Sequence, residues 1–154
     1  MVPRHEDIVD AIAPLQDIEL QVWTRTADSY TLDPTAPPLP GHRAWVLGPS
    51  GVRSPVGVLL VRDPRGRLSV PTEQASTVAR LLASCGRLPP KALAERFLAL
   101  WQVPTRPAQV VPGSERLESI AGGFRLSFRT VGPRVDASTW AVDLGDDDLR
   151  VVIS

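Results

Sequence analysis

Arginine is the residue type in this sequence with the widest scope for binding chemistry. Lys91 is the one lysine among seventeen basic residues, and the rest are arginine. A guanidinium group offers a planar fork of donors that matches carboxylate and phosphate oxygens. The arginines on predicted strands, or in the turn between two of them, are Arg43, Arg62, Arg65, Arg67, Arg125 and Arg129. We expect these arginines to gather on one sheet face that binds an acidic protein surface or a nucleic-acid backbone, with Trp45 available for stacking.

The charges are unevenly distributed along the chain. Residues 1–40 hold two basic and seven acidic side chains, residues 41–134 hold fourteen and five, and residues 135–154 hold one and five. A basic middle between acidic ends indicates either an anion-binding surface or self-neutralisation in the fold. A GC-rich coding sequence also favours arginine whatever the function, so the arginine excess alone does not distinguish these interpretations.

A second group of residues has the types needed for acid–base chemistry. Asp33 and His42 are an acid and a base on or beside a proline-rich segment, and Tyr30 lies nearby. In the alternative interpretation, these three residues sit at the mouth of an apolar cavity between sheet and helices, in a small enzyme or small-molecule-binding protein. The aromatic residues predicted to line or fill that cavity are Phe97, Trp101, Phe124, Phe128 and Trp140.

Several familiar motifs are absent from the sequence. The turn at residues 48–51 lacks the Gly-Lys-Ser/Thr ending of a phosphate loop, and Ser50 has no G-x-S-x-G context. The acidic residues 146–148 lack the spaced ligands of a calcium loop. Pro89 and Pro90 open the second predicted helix and offer nothing to a base edge, which disfavours a DNA-reading helix pair. We therefore expect no cofactor and no metal.

The composition is ordinary for a globular protein of one domain. The chain has 154 residues and a single cysteine, Cys85, so no internal disulfide forms. No apolar run is long enough to span a membrane and no secretory signal is visible, so we expect a cytoplasmic protein that does not bind membranes. The proline-rich segment and exposed aromatic residues also suit a subunit of a larger assembly.

The elements that must position these residues are organised around residues 57–101. An apolar run at 58–61 and the resumed alternation at 68–70 predict a hairpin, with Pro64 and Gly66 in its turn. Thr72 is the predicted N-cap of a helix that ends near Gly86. A second helix follows from residue 89 to residue 101, and the short link between the two helices makes them antiparallel neighbours.

Patterning assigns the rest of the chain. We predict a helix at 5–13, a strand at 17–25, a proline-rich loop at 28–41 and a strand at 43–47. Further strands are predicted at 108–111, 117–121, 124–128, 139–144 and 149–153. The resulting fold class is α+β: a curved, largely antiparallel sheet with an antiparallel helix pair packed on one face and a short N-terminal helix, as a single domain over 1–154.

Overall fold

The computed structural model describes residues 1–51, 57–72, 74–101, 108–132, 135–146 and 148–154, and it confirms the α+β class. The helices in these ranges are α1 (His5–Ile12), α2 (Ile18–Trp23), α3 (Ala75–Ala83) and α4 (Pro90–Trp101), with a single 3-10 turn at Ala13–Leu15. The strands are β1 (Tyr30–Thr35), β2 (Arg43–Pro49), β3 (Val58–Arg62), β4 (Leu68–Ser69), β5 (Gln109–Val110), β6 (Arg116–Ile120), β7 (Gly123–Gly132), β8 (Val135–Leu144) and β9 (Leu149–Ile153).

The strands form two antiparallel sheets where one curved sheet was predicted. The first sheet has the order β1-β2-β3-β4, and the second has the order β5-β7-β8-β9 with β6 also paired to β7. The chain divides into two compact units along the same line, the first reaching from Met1 to Pro71 and the second beginning at Thr72. Organisation as one domain over 1–154 stays a prediction.

The first unit packs its N-terminal helices against its sheet. Ile8 and Ile12 on α1 are buried with Leu47 of β2 and Leu60 of β3. These positions recur at helical spacing on α1, and Leu47 and Leu60 lie on the same face of the sheet, because side chains alternate along each strand. This apolar core fixes the orientation of that face for every residue further along β2 and β3.

The predicted strand at 17–25 is wrong, because residues 18–23 form helix α2. Asp17 caps this helix, its Oδ1 accepting a hydrogen bond from the Leu20 amide at 3.1 Å. Leu20 is buried, whereas Ile18 is 77% exposed. The alternation that suggested a strand therefore does not match the observed burial.

The predicted loop at 28–41 contains strand β1, so a loop over the whole range is also wrong. Residues 30–35 pair with residues 44–49 of β2, and Pro34 lies opposite Trp45. A proline cannot donate to a strand neighbour, and β1 is an edge strand, so Pro34 loses no ladder bond on its open side.

The second unit is built around an aromatic core. The Phe97 ring on α4 lies 6.1 Å from Phe128 and 6.0 Å from Trp140, and the Phe128 and Trp140 rings stack at 5.7 Å. Helix α4 contacts β5 and β7, and α3 contacts β9. The Trp140 indole N–H donates to Thr130 Oγ1 at 2.8 Å, which satisfies its polar atom inside the core. Phe124 was also predicted to face this core, but it is 50% exposed.

Helix α3 begins later than predicted. Its N-cap is Gln74 and its first residue is Ala75, so Thr72 is not the N-cap. The other strand and helix predictions agree with the structure to within the few residues by which element ends commonly vary. Gly66 and Gly86 both have positive φ, as their predicted turn and cap positions require.

Candidate functional site

Two of the predicted arginines lie directly opposite each other on the first sheet. Arg43 begins β2 and pairs in register with Arg62, the last residue of β3. Cross-strand partners share a face, so both side chains belong to the face that carries Trp45 and Leu60. The Arg62 guanidinium carbon lies 5.3 Å from the Trp45 ring centroid, which is a cation–π contact. Arg62 Nη1 also donates to the Met1 carbonyl oxygen at 2.7 Å.

Two further arginines lie in the turn that follows Arg62. Asp63 shapes this turn, because its Oδ1 accepts hydrogen bonds from the backbone amides of Arg65 at 2.9 Å and Arg67 at 2.8 Å. The side chains of Arg65 and Arg67 are exposed. We call Arg43, Arg62, Arg65 and Arg67 the arginine cluster; its residues all lie at one end of the first sheet.

No member of the arginine cluster is in an ion pair in the part of the chain that the structure describes. The ion pairs found there join Arg4 to Asp7 and Arg125 to Asp143, and neither includes a member of the cluster. Like charges directly opposite each other on a sheet are unfavourable. Among the described residues, Arg43 and Arg62 therefore face each other without a carboxylate partner.

A cleft opens beside the cluster within the first unit. This open cleft has a volume of ≈ 300 Å³ and a mostly apolar surface. Pro34, Pro37 and Trp45 line it, and Arg43 and His42 contribute polar side chains. His42 Nδ1 lies 2.9 Å from the Pro40 carbonyl oxygen. A carbonyl oxygen can only accept, so Nδ1 donates in this bond. In the neutral ring, Nε2 is then the atom that can accept a hydrogen bond.

Trp45, which was predicted to be available for stacking, is buried in the structure. Its exposure is 5%, since it lies beneath Arg62 and between neighbouring strands. The prediction that Trp45 stacks on a ligand base would require a ring face that is open to solvent. In this structure the indole supports the Arg62 guanidinium instead.

The acid–base group is not brought together. Tyr30 and Asp33 are three residues apart on β1, which places their side chains on opposite faces of the strand. The Tyr30 hydroxyl lies 3.0 Å from His5 Nδ1, and burial, followed by the negative charge of Glu6, raises the pKa of Tyr30. His42 lies beyond the opposite end of β1. The three residues thus form no common site.

The other two predicted arginines belong to the second sheet. The Arg125 guanidinium on β7 forms a two-pronged ion pair with Asp143 on β8, with Nε–Oδ1 and Nη2–Oδ2 distances of 2.7 and 3.1 Å. The register aligns Glu118, Arg125, Asp143 and Arg150 in one row across β6, β7, β8 and β9. The hydrogen bond and charge of Arg125 lower the pKa of Asp143, and Arg150 adds to the effect. Arg125 is therefore already neutralised, and Arg129 lies exposed farther along β7.

Sequence reasoning missed the walls of the cleft. Met1, Val2, Pro34 and Pro37 line it, but none of them carries a chemical signature that alternation or motif analysis detects. His42 was predicted to lie with Asp33 and Tyr30 at the mouth of a cavity between sheet and helices, whereas in the structure it lines this cleft without them. The proline-rich segment was the one feature of the sequence that could have indicated the cleft wall, because prolines hold a chain extended.

The comparisons with known proteins add no family to this description, since no protein-family model, curated protein or solved structure matches the chain. Among the described residues, no group of three or more histidine, cysteine or acidic side chains is arranged to hold a metal ion. None of the helices described above is long and apolar enough to cross a membrane.

Proposed function

We propose that this protein is a non-catalytic binding module whose arginine cluster binds an acidic surface on a partner protein. The supporting observation is the register pair of Arg43 and Arg62, whose like charges face each other without a carboxylate partner in the described chain. An acidic ligand relieves that repulsion when it binds, and guanidinium groups bind carboxylates through charge-assisted hydrogen bonds.

An acidic protein surface suits this site better than a nucleic acid does. Binding to single strands depends on aromatic side chains that stack with bases, and the Trp45 ring is buried. The cluster is also compact, because its residues lie at one end of a single small sheet. A short acidic segment matches such a patch, whereas an extended nucleic-acid backbone needs a longer positive track.

The experiment compares two matched triple variants. R43Q/R65Q/R67Q removes three charges from the cluster and leaves Arg62, which contacts Trp45 and Met1. The control, R80Q/R87Q/R129Q, removes three charges from exposed arginines of the second unit. The probe is a fluorescently labelled hexaglutamate peptide, titrated at low salt.

We expect the cluster variant to bind the peptide roughly tenfold more weakly than the wild type, since exposed charge pairs contribute about 0.5 kcal/mol each. The control variant should bind as the wild type does. Equal weakening of both variants would mean that only net charge matters and would reject the cluster. The same titration is repeated with a labelled single-stranded DNA of equal charge. Tighter binding of the DNA than of the peptide, with a steep salt dependence, would show that the partner is a nucleic acid.

A second candidate function rests on the cleft. A cavity of ≈ 300 Å³ with an apolar lining and one arginine suits a small apolar carboxylate. The probe is naphthoate, followed by tryptophan fluorescence. If the cleft binds it, R43Q weakens binding and R65Q/R67Q does not, whereas both variants weaken binding of the acidic peptide. Absence of saturable naphthoate binding would reject this candidate.

A further inference from the structure

Strand β9 is an edge strand of the second sheet, since among the described strands it pairs with β8 alone. The Thr139 and Ser154 backbones exchange two hydrogen bonds, each 2.9 Å long, at the end of the β8–β9 ladder. In an antiparallel ladder, hydrogen-bonded and non-bonded pairs alternate. The backbone groups of Leu149, Val151 and Ile153 must therefore point away from β8, toward the open side of the sheet.

The hydrogen bonds of the described chain agree with this alternation. The Leu149 amide donates to Asp148 Oδ1 at 2.8 Å, so this first outward N–H is capped by a side chain. The outward amides of Val151 and Ile153 have no acceptor among the described residues. Within the described ranges, two consecutive outward positions of β9 thus have no strand beside them.

This edge lacks the features that usually protect sheet edges. Among the strands described above, β1 carries Pro34, β4 and β5 have two residues each, and β6 carries two charged residues, Arg116 and Glu118. Strand β9 is LRVVI, with Arg150 as its one charge. Its Val152 is 56% exposed and its Ile153 is 52% exposed. An exposed apolar edge strand without proline is a template for strand addition.

We propose that β9 pairs antiparallel with β9 of a second copy of this chain, centred on Val151. Outward residues must face outward residues, and pairing about Val151 overlaps the whole of β9. It places Val151 opposite itself, Leu149 opposite Ile153 of the second copy, and Arg150 opposite Val152. If the pairing were centred on Arg150 instead, one residue closer to the turn between β8 and β9, each Arg150 would lie opposite Arg150 of the second copy. Like-charge repulsion disfavours that register.

A second copy is the occupant because the strand is complementary to itself in this register. Each exposed Val152 lies over the aliphatic stem of the opposite Arg150, whose guanidinium keeps Asp143 as a neighbour on β8. The formal net charge of the chain is zero, so no long-range repulsion opposes association of two copies. This pairing involves only the second unit and does not depend on the arginine cluster.

Two substitutions at one exposed position test the proposal. V152R places an arginine opposite Arg150 of the second copy at both symmetric positions, whereas V152E places a glutamate there. We expect sedimentation equilibrium to find a dimer for the wild type and for V152E. The dissociation constant of V152R should be higher than that of V152E by roughly tenfold or more, because two repulsive pairs replace two attractive ones.

The opposite charges at one site control for folding, since circular dichroism should report the same secondary structure for both variants. A wild type that remains monomeric at every concentration overturns the proposal. So does a dimer that V152R and V152E weaken equally, because another surface must then hold it. Pairing with strands of unrelated proteins, with no self-association, would also overturn it.

Discussion

The Arg43→Glu substitution tests whether the fold is destabilised by its like-charge pair. It changes the residue opposite Arg62 from a repulsive to an attractive one, while the register of β2 and β3 is kept. A cross-strand charge pair changes stability by about 0.2–1 kcal/mol in either direction. Arg43→Glu removes a repulsive pair and adds an attractive one, so the two contributions add. Because both side chains are near the surface, each contribution should fall in the lower half of that range, and we expect the fold to gain about 1 kcal/mol of stability.

Arg129→Glu is the matched control, because Arg129 is also an exposed strand residue and its partner Thr139 is neutral. The assay is hydrogen exchange of the β2 and β3 amides at low salt, which reports on the stability of the first sheet itself. Arg43→Glu should slow this exchange and Arg129→Glu should leave it unchanged. The difference should shrink at high salt, where charges are screened within about 3 Å. Faster exchange in Arg43→Glu, or equal effects of both variants, would refute the reasoning.

Three further predictions follow from the two units. Phe97→Ala should destabilise the second unit by about 3–5 kcal/mol, because it empties the centre of the aromatic core, and loss of near-ultraviolet dichroism on heating measures this. The pKa of Asp143 is lowered by Arg125, so this pair stabilises the fold above the ordinary carboxyl pKa and loses its effect as the pH falls through the lowered value. Asp143→Asn should therefore flatten the acid side of the stability profile measured by urea unfolding, and parallel profiles would contradict this. Tyr30 is the single tyrosine, and its absorbance should titrate above 10.0 and move down in Glu6→Gln; a midpoint at or below 10.0 would refute the burial argument.

The sequence predicted the fold class and most elements because long periodic segments determine their own secondary structure. Helix α2 was wrongly predicted as a strand because it is short. In six residues, Ile18, Leu20 and Val22 fit strand alternation, while Leu20 and Trp23 fit helical spacing equally well. The Asp17 side chain stabilises the helix by accepting a hydrogen bond from the Leu20 amide at its first turn. An analysis of alternating apolar residues does not take this N-cap hydrogen bond into account.

The division into two sheets was not predictable from alternation. A strand pattern identifies which side chains share a face, but it does not identify which strand will lie beside it. The pairing of β4 with β3, and of β7 with β5, β6 and β8, is set by packing between residues distant in the chain. The prediction of a single curved sheet had no local evidence against it.

The candidate site was predicted in part for the same reason. Alternation correctly placed Arg43 and Trp45 on one face, because they are two residues apart on one strand. The register of Arg43 with Arg62, and of Arg125 with Asp143 across 18 residues, depends on how the strands align. Only that alignment distinguishes an arginine without a carboxylate partner from one that is already paired.

The most direct test of the arginine cluster is a nitrogen-edited NMR titration of the protein with the hexaglutamate peptide. The proposal predicts shifts of the side-chain Nε–H signals of the cluster, together with backbone shifts at the start of β2 and in the turn after β3. The signals of Arg125, held by Asp143, should stay in place. Shifts concentrated on the second sheet, or none in the cluster at saturation, would contradict the proposed function.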